Sequence, residues 1–538
     1  DDVTSKEKVN FCKEHFLRGI PCIMPSDYKK LQKDILDELS FDFAQGYISK
    51  MFKESEKIYS FSINTTDEYK LPSVERMKEI IAGQDSVVLE PEYISYKTLE
   101  LDTAPEAGQI VKCRPLKNVE GEIWTLSNGA RVYWLPSEKV KSNVHLAMTA
   151  LFETGYGAFP QEYKGESIMA RYFLDRYLGL GNMDKMEMKS ASGSGDVLLT
   201  VKFGRKYSSV NVLADEKDAE RAFRMTYTQL MSPNFSTEET LEKYKRDNIN
   251  LIRKGKNNIR HFEEERTALK YGNDPWLSDP DSAQVRNVDY DFVKQIFRRS
   301  FSAFDKMTIF VSSDLDRETV KDLACRYIAS LSGETDAGKT EYSPLVPAYR
   351  GTVILDRTYS AASAPKSDVR YCFCTKLPQD PKSRITLEIL DYIMGNRALN
   401  QIREVRGGTY YVQFSSDTYA DCKGITESSV SFQTRPEMTD ILVEDVRTLM
   451  NEMSASGPSR DEMEAAVKYF IKHRNEKKAD RENSLRTKLS EGISTIMDGE
   501  DFSYDYEKVI RSITAKDVQK TARELNNGDR YISIFREL

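Results

Sequence analysis

Between Asn396 and Phe414 the spacing of apolar and polar residues changes period. NRALNQIREV follows helical spacing, Gly407-Gly408 interrupts it, and Tyr410, Val412 and Phe414 then alternate with Tyr411 and Gln413. Glycine takes the left-handed conformation that ends a helix at little cost, and aromatic and β-branched residues in period two favour a strand. The expected helix, break and strand hold Arg403, in the last helical turns, and Tyr410, at the start of the strand, in fixed relation. A cation and a phenol so held can bind a peptide carbonyl or a developing oxyanion. An arginine on a solvated helix end and a tyrosine in a sheet also fit the pattern.

The same kinds of element recur along the chain. SFDFAQGYISKMFKESEKIYSFSIN, from Ser40 to Asn64, predicts a helix and a strand, and DYDFVKQIFRRSFSAFDKMTIFVSS, from Asp289 to Ser313, repeats it without a gap. Asp42 falls on Asp291, Phe43 on Phe292, Phe52 on Phe301, Lys57 on Lys306 and Phe61 on Phe310, all at one offset. A looser version, Thr514 to Phe535, closes the chain. Asn211–Met231 and Ser431–Met450 both predict a strand, a polar turn and an amphipathic helix. A further helix follows each, with Ser236 and Ser459 as candidate N-caps and an acidic residue three positions later. Each copy opens on a strand, RVYWLP at Arg131 and TVILD at Thr352. A period this long fits duplicated domains rather than a solenoid.

The expected organisation is therefore two homologous α+β domains of mixed sheet and helix, preceded by the tail of another copy. Residues 1–66 are the closing end of that earlier unit. Residues 67–119, with Pro72, Pro91, Pro105 and Pro115 among many charges, form an extended linker. Residues 120–338 and 339–538 are the two whole copies.

Composition narrows the function classes. With 39% hydrophobic and 30% charged residues the chain is neither disordered nor membrane-embedded, and no window has the apolar run of a transmembrane helix. A net charge of −7 argues against nucleic acid as main partner, since phosphate binding needs a basic surface. The seven cysteines lack framework spacing and are expected to be buried thiols; Cys372 and Cys374 lie on one strand face, where a bond between them would be strained. His15, His145, His261 and His473 are too far apart to pair on a helix as metal ligands. No phosphate loop and no Gly-x-Ser-x-Gly elbow occurs, and GSGD at Gly193–Asp196 predicts a turn.

Duplicated α+β units of this size, with IREVRGGTYYV in the second and WTLSNGARVYWLP (Trp124–Pro136) opening the first, resemble the pitrilysin/insulinase family of zinc metallopeptidases. The resemblance implies domains of the pitrilysin/mitochondrial processing peptidase type, four to an enzyme, closing in two halves around a peptide. It assigns Arg403 and Tyr410, seven residues apart at a helix-to-strand junction, to substrate binding, with Tyr410 also catalytic and Arg406 as the alternative arginine. The family's inverted His-x-x-Glu-His zinc motif is missing here. In GESIMARYFLDRY its positions fall near Ile168, Arg171 and Tyr172, and SRITLEILDYIMGN has no histidine.

The chain is thus expected to be the family's third and fourth units. Zinc would be held by an N-terminal half upstream of Asp1 and none by this chain. That half and a peptide or unfolded protein would be the partners, and the bacterial periplasm or cell envelope the compartment. The alternative is a non-catalytic subunit of the same fold that binds peptides or braces a catalytic partner.

Overall fold

The computed structural model describes residues 5–21, 23, 25–54, 60, 72–83, 99–102, 106–117, 119–140, 144–191, 197–333, 342, 344–360, 364–419, 422, 424–482, 484–497 and 504–538. The strand expected near residues 57–64, the Gly193–Asp196 turn and most of the 67–98 stretch lie outside these. The chain divides into two compact units, Asp1–Tyr93 and Ile94–Leu538.

The first unit contributes helices α1 (Ser5–Arg18), α2 (Pro25–Glu38), α3 (Phe41–Glu54) and α4 (Val74–Gly83). Ser40 caps α3, its hydroxyl accepting the Phe43 N–H at 3.1 Å. The apolar face of α3 is open to solvent: Tyr47 is 61%, Ile48 53%, Met51 57% and Phe52 67% exposed.

In the second unit β1 (Ile110–Pro115), from the stretch expected to be an extended linker, joins the sheet of the earlier copy by pairing with β2 (Glu122–Leu126). That copy runs β2, β3 (Arg131–Pro136), β4 (Leu146–Phe152), α5 (Lys164–Tyr177), β5 (Gly179–Leu180), α6 (Lys185–Ala191), β6 (Val197–Phe203) and β7 (Ser208–Ala214). It continues through α7 (Ala219–Met231), β8 (Pro233–Asn234), α8 (Glu238–Arg253), α9 (Asn258–Tyr271), α10 (Ser282–Asn287), α11 (Tyr290–Phe301), β9 (Thr308–Ser313) and α12 (Arg317–Leu323). The later copy runs β10 (Thr352–Tyr359), β11 (Lys366–Lys376), α13 (Pro381–Ala398), β12 (Val412–Thr418), β13 (Ile425–Thr434) and α14 (Thr439–Ser456). It closes with α15 (Arg460–Glu482), α16 (Leu485–Met497), α17 (Tyr506–Ser512), α18 (Ala515–Asn526) and β14 (Asp529–Glu537).

The two main sheets have one plan. Strands β3-β9-β4-β7-β6 in the first match β10-β14-β11-β13-β12 in the second, and β1-β2 extend the first at its edge. In each the opening strand lies parallel to the closing strand, and every other pairing in this plan is antiparallel. A closing strand that returns to the middle of its sheet ties the end of each copy to its beginning.

Period-two alternation sends side chains from each sheet into two different cores. In the first sheet Val132, Met148, Ala150, Ile309 and Val311 pack with the helices of their own copy, around Phe173, Phe223 and Phe301. The opposite face, Leu135, Ala147 and Phe310, is covered by Leu485 and Leu489 of α16, from the other copy. The second sheet mirrors this. Val369, Tyr371, Phe373, Ile532 and Ile534 join its own helices, while Leu355 and Phe535 meet Phe262 of α9. Each copy thus lends one helix to the back of its partner's sheet. A buried ion pair fastens the exchange, with Lys270 Nζ on α9 2.6 Å from Glu427 Oε1 on β13, and Tyr349 donating its hydroxyl to Glu427 Oε2 at 2.8 Å.

Three local expectations are corrected. Ser459 does cap α15, its hydroxyl accepting the Glu462 N–H at 3.3 Å and the Glu462 carboxylate taking the Ser459 N–H at 2.7 Å. Ser236 does not cap α8. It sits at φ 62°, its N–H donating to Asn234 Oδ1 and its carbonyl accepting the Tyr290 hydroxyl, and the helix is capped one residue later by Thr237. The strand after the glycine pair starts at Val412, not Tyr410. The Thr409 hydroxyl bonds the Gln433 carbonyl at 2.5 Å and the Tyr411 backbone, replacing the ladder there. Nor are all the cysteines buried. Cys372 and Cys374 are, but Cys12 lies on the exposed α1 and Cys113 on edge strand β1, and Cys22 is outside the described residues.

Candidate functional site

The helix α13 carries the candidate site at its end. Asp380 caps it, accepting the Ser383 N–H at 3.1 Å, with Pro381 pre-set for the first turn. Ile385, Ile389, Leu390, Ile393 and Met394 fix it in the core of the second copy. From Leu399 to Val405 the helix widens into a π-helix, where the sequence had suggested ordinary α turns. The widened turn keeps Ile402 buried and leaves Arg403 half-exposed.

The helix ends in a Schellman arrangement. Gly407, at φ 58°, donates its N–H to the Arg403 carbonyl at 3.0 Å, and Gly408 donates to the Ile402 carbonyl at 3.1 Å. A Cβ at Gly408 would press on Leu442 of α14, so the close approach needs glycine there. The Thr434 hydroxyl on β13 also bonds the Gly408 carbonyl. Loop, helix and sheet are locked together at this point.

Of the three residues expected here, two meet and one is engaged elsewhere. The Arg403 guanidinium carbon lies 5.6 Å from the Tyr410 ring centroid, within cation–π range. Tyr410 is 90% exposed. Glu404 is the acidic neighbour of Arg403, at 3.6 Å. Arg406 instead makes a bidentate pair with Asp445 of α14, at 2.8 and 3.0 Å, and this hydrogen-bonded carboxylate raises its pKa. Nothing in the sequence marks Asp445 as its partner, since the pairing spans two helices.

A second contact escapes sequence reading as well. Asp391, three turns before Arg403, accepts the Ser416 backbone N–H at 2.9 Å and pairs with the Ser416 hydroxyl at 2.6 Å, which in turn meets the Ser428 hydroxyl at 2.6 Å. Burial pushes the Asp391 carboxyl up to about 7. The Ser416 bonds oppose that rise, and the charges of Glu388 and Asp417 add to it.

The helices that correspond to the family's zinc helix do not fit the metal. On α5 Ile168 is buried, and the Arg171 guanidinium lies 4.1 Å from the Tyr156 ring and 4.8 Å from that of Tyr172. A cation flanked by aromatic rings cannot ligate another cation. On α13 the buried positions are apolar apart from Thr386, whose hydroxyl donates to the Lys382 carbonyl. Among the described residues no group of three or more His, Cys, Asp or Glu side chains could hold a metal ion. Three of the histidines have local partners: His15 the Ile20 carbonyl, His145 the Asp314 carboxylate, and His473 the Tyr469 ring.

The repeated sheet plan describes a duplicated α+β module with the fold of M16 (pitrilysin/insulinase) peptidase-type proteins. Residues 287–470 match the model of the Peptidase M16 inactive domain, so the resemblance to that family holds. Among curated proteins the chain is similar to the probable zinc protease PqqL of Haemophilus influenzae (strain ATCC 51907 / DSM 11121 / KW20 / Rd), 20% identical over 423 residues, 76% of this chain and 43% of that protein. Among solved structures it superposes on the periplasmic protease PqqL from Escherichia coli with a TM-score of 0.69 at 15% identity, over 100% of this chain and 59% of that one. The ferredoxin protease FusC, solved as a variant in complex with Arabidopsis ferredoxin, gives a TM-score of 0.70 at 16% identity, over 99% of this chain and 58% of that one. The chain therefore spans less than two thirds of each of these relatives.

Proposed function

We propose that this chain is the zinc-free, C-terminal half of a zinc metalloendopeptidase, closing a peptide-binding chamber and presenting Arg403 and Tyr410 to the bound peptide. The observation that carries this reading is the pairing of a half-exposed guanidinium with a solvent-facing phenol at a rigid junction, while Arg406 is held by Asp445. In it, Arg403 donates to a substrate carbonyl and the Tyr410 hydroxyl donates to the oxyanion of the tetrahedral intermediate. Zinc, bound by the other half, supplies the activated water.

The exposed face of α3 supports a preceding N-terminal half. At the offset of the internal repeat, Tyr47, Ile48, Met51 and Phe52 correspond to Ile296, Phe297, Ser300 and Phe301 of α11. Those four are buried against the rest of their copy, whereas the α3 residues face solvent. Their natural cover is the remainder of an earlier copy. A periplasmic setting is supported by the E. coli relative, described as a periplasmic protease; no helix among the described residues is long and apolar enough to cross a membrane.

The test uses the chain joined to its zinc-bearing half. Tyr410→Phe is expected to lower kcat about 100-fold with little change in KM, since one oxyanion donor is worth ~3 kcal/mol. Arg403→Ala is expected to reduce kcat/KM, and Arg406→Ala to act mainly through stability. An unchanged kcat for Tyr410→Phe would overturn the reading. The open α3 face also fits a non-catalytic subunit seated on a separate zinc-bearing chain. A stoichiometric complex with such a chain, and full hydrolysis by it after Tyr410→Phe, would favour that second reading.

A further inference from the structure

We propose that Asp391 is a positioning residue for the Arg403–Tyr410 loop, holding its helical and strand arms at one spacing. The proposal rests on the substrate-binding reading above for its consequence in hydrolysis, but not for its structural content. The loop leaves α13 and returns as β12; apolar packing of Phe414 with the α13 core holds the arms together without direction, and a polar contact between them would fix their spacing. Asp391 supplies that polar contact: it lies on α13, and both of its oxygens meet Ser416 on β12, 25 residues away in sequence.

The Ser416 N–H that Asp391 takes is a backbone donor of an edge strand. β12 is the last strand of its sheet and pairs only with β13. An edge N–H left open is a site for strand slippage or for pairing with another chain, and a carboxylate from a packed helix removes it. The chain of contacts continues inward through the Ser428 hydroxyl on β13, so α13, β12 and β13 are joined in one line of polar bonds. Elsewhere the loop is anchored at its tip, by Arg406–Asp445 to α14 and by Thr409 to β13. Asp391 alone among these crosses directly between the two arms. An error of an ångström in their spacing would move the Arg403 guanidinium relative to the Tyr410 hydroxyl, and misplacements of that size are costly when two donors must meet one reacting group.

The experiment is hydrogen exchange on the full chain, comparing wild type, D391A and D391N. Asparagine keeps both bonds, its carbonyl accepting the Ser416 N–H and its amide donating to the hydroxyl; alanine keeps neither. D391A is expected to speed exchange over residues 403–416 about tenfold or more while β14 and α18 stay at wild-type rates, and D391N is expected to restore the wild-type pattern. Loop exchange within twofold of wild type in D391A, or a rise spread evenly over the later copy, would overturn the proposal, as would D391N behaving like D391A. If D391A does not fold, S416A removes the hydroxyl bond alone, and a rise confined to 403–416 supports the proposal while no rise overturns it.

Joined to the zinc-bearing half, D391A is expected to lower kcat about tenfold or more, with rescue by D391N. A loop loosened by D391A in an enzyme indifferent to Tyr410→Phe would leave the positioning role intact and remove the substrate role. A rigid loop in D391A, with Tyr410→Phe inactive, would do the reverse.

Discussion

Asp391 also carries a pH dependence of its own. Its folded carboxyl titrates at about 7, raised first by burial and then by Glu388 and Asp417 against the pull of Ser416, whereas an unfolded aspartate titrates near 3.9. The native state therefore favours the protonated form. The stability this group contributes is fully present below pH ~4 and is lost as pH rises through about 7. Asp391→Asn removes the loss. The variant is expected to melt above wild type at pH 8, by at most about 4 kcal/mol, with the gap closing toward pH 4. Thermal unfolding across that range checks it, and a constant difference at all pH values would contradict it. Sequence spacing made the junction that brings Arg403 and Tyr410 together legible, because a helix end, two glycines and a strand are local. It could not reveal Asp391 or Asp445, whose partners are remote in sequence.

At the scale of elements, the lent helices are the part no periodicity could show. Nothing within the sequence of α9 or α16 names the sheet it covers. The strands gave a faint sign, since Leu135, Phe310 and Phe535 are apolar where a one-faced sheet would be polar. The buried Lys270–Glu427 pair marks the seam. There burial lowers the lysine pKa, the Glu427 charge and hydrogen bond raise it, and the balance is upward. Lys270→Ala strands a carboxylate that is almost wholly buried. A loss of about 3–5 kcal/mol is expected in urea unfolding, largely recovered in a Lys270→Met/Glu427→Gln double variant. Equal losses in both variants would assign the cost to packing instead.

For the whole molecule, the exchange joins residues 94–538 into one compact unit although the sequence divides it in two. The duplication itself was legible, because a helix and strand recurring at a constant offset survive divergence in the residues between them. Its outcome was not, because a repeat pattern gives the parts and not which copy covers which. Expressed apart, the 94–338 and 339–538 fragments each expose the back of a sheet and a helix with no sheet to cover. Neither is expected to unfold cooperatively alone, and the intact chain is expected to lose both copies in one calorimetric transition. Two separate transitions, each matched by its fragment, would refute this.

The lent helices also bear on how the two copies can diverge. Gly492 of α16 lies so close to Leu135 of β3 that a Cβ would overlap the leucine methyl. The Phe262 ring of α9 meets that of Phe535 on β14 at a tilt of 58°, with centroids 5.2 Å apart. A substitution at either contact changes the fit in the other copy, so in related sequences such pairs are expected to vary jointly across hundreds of residues.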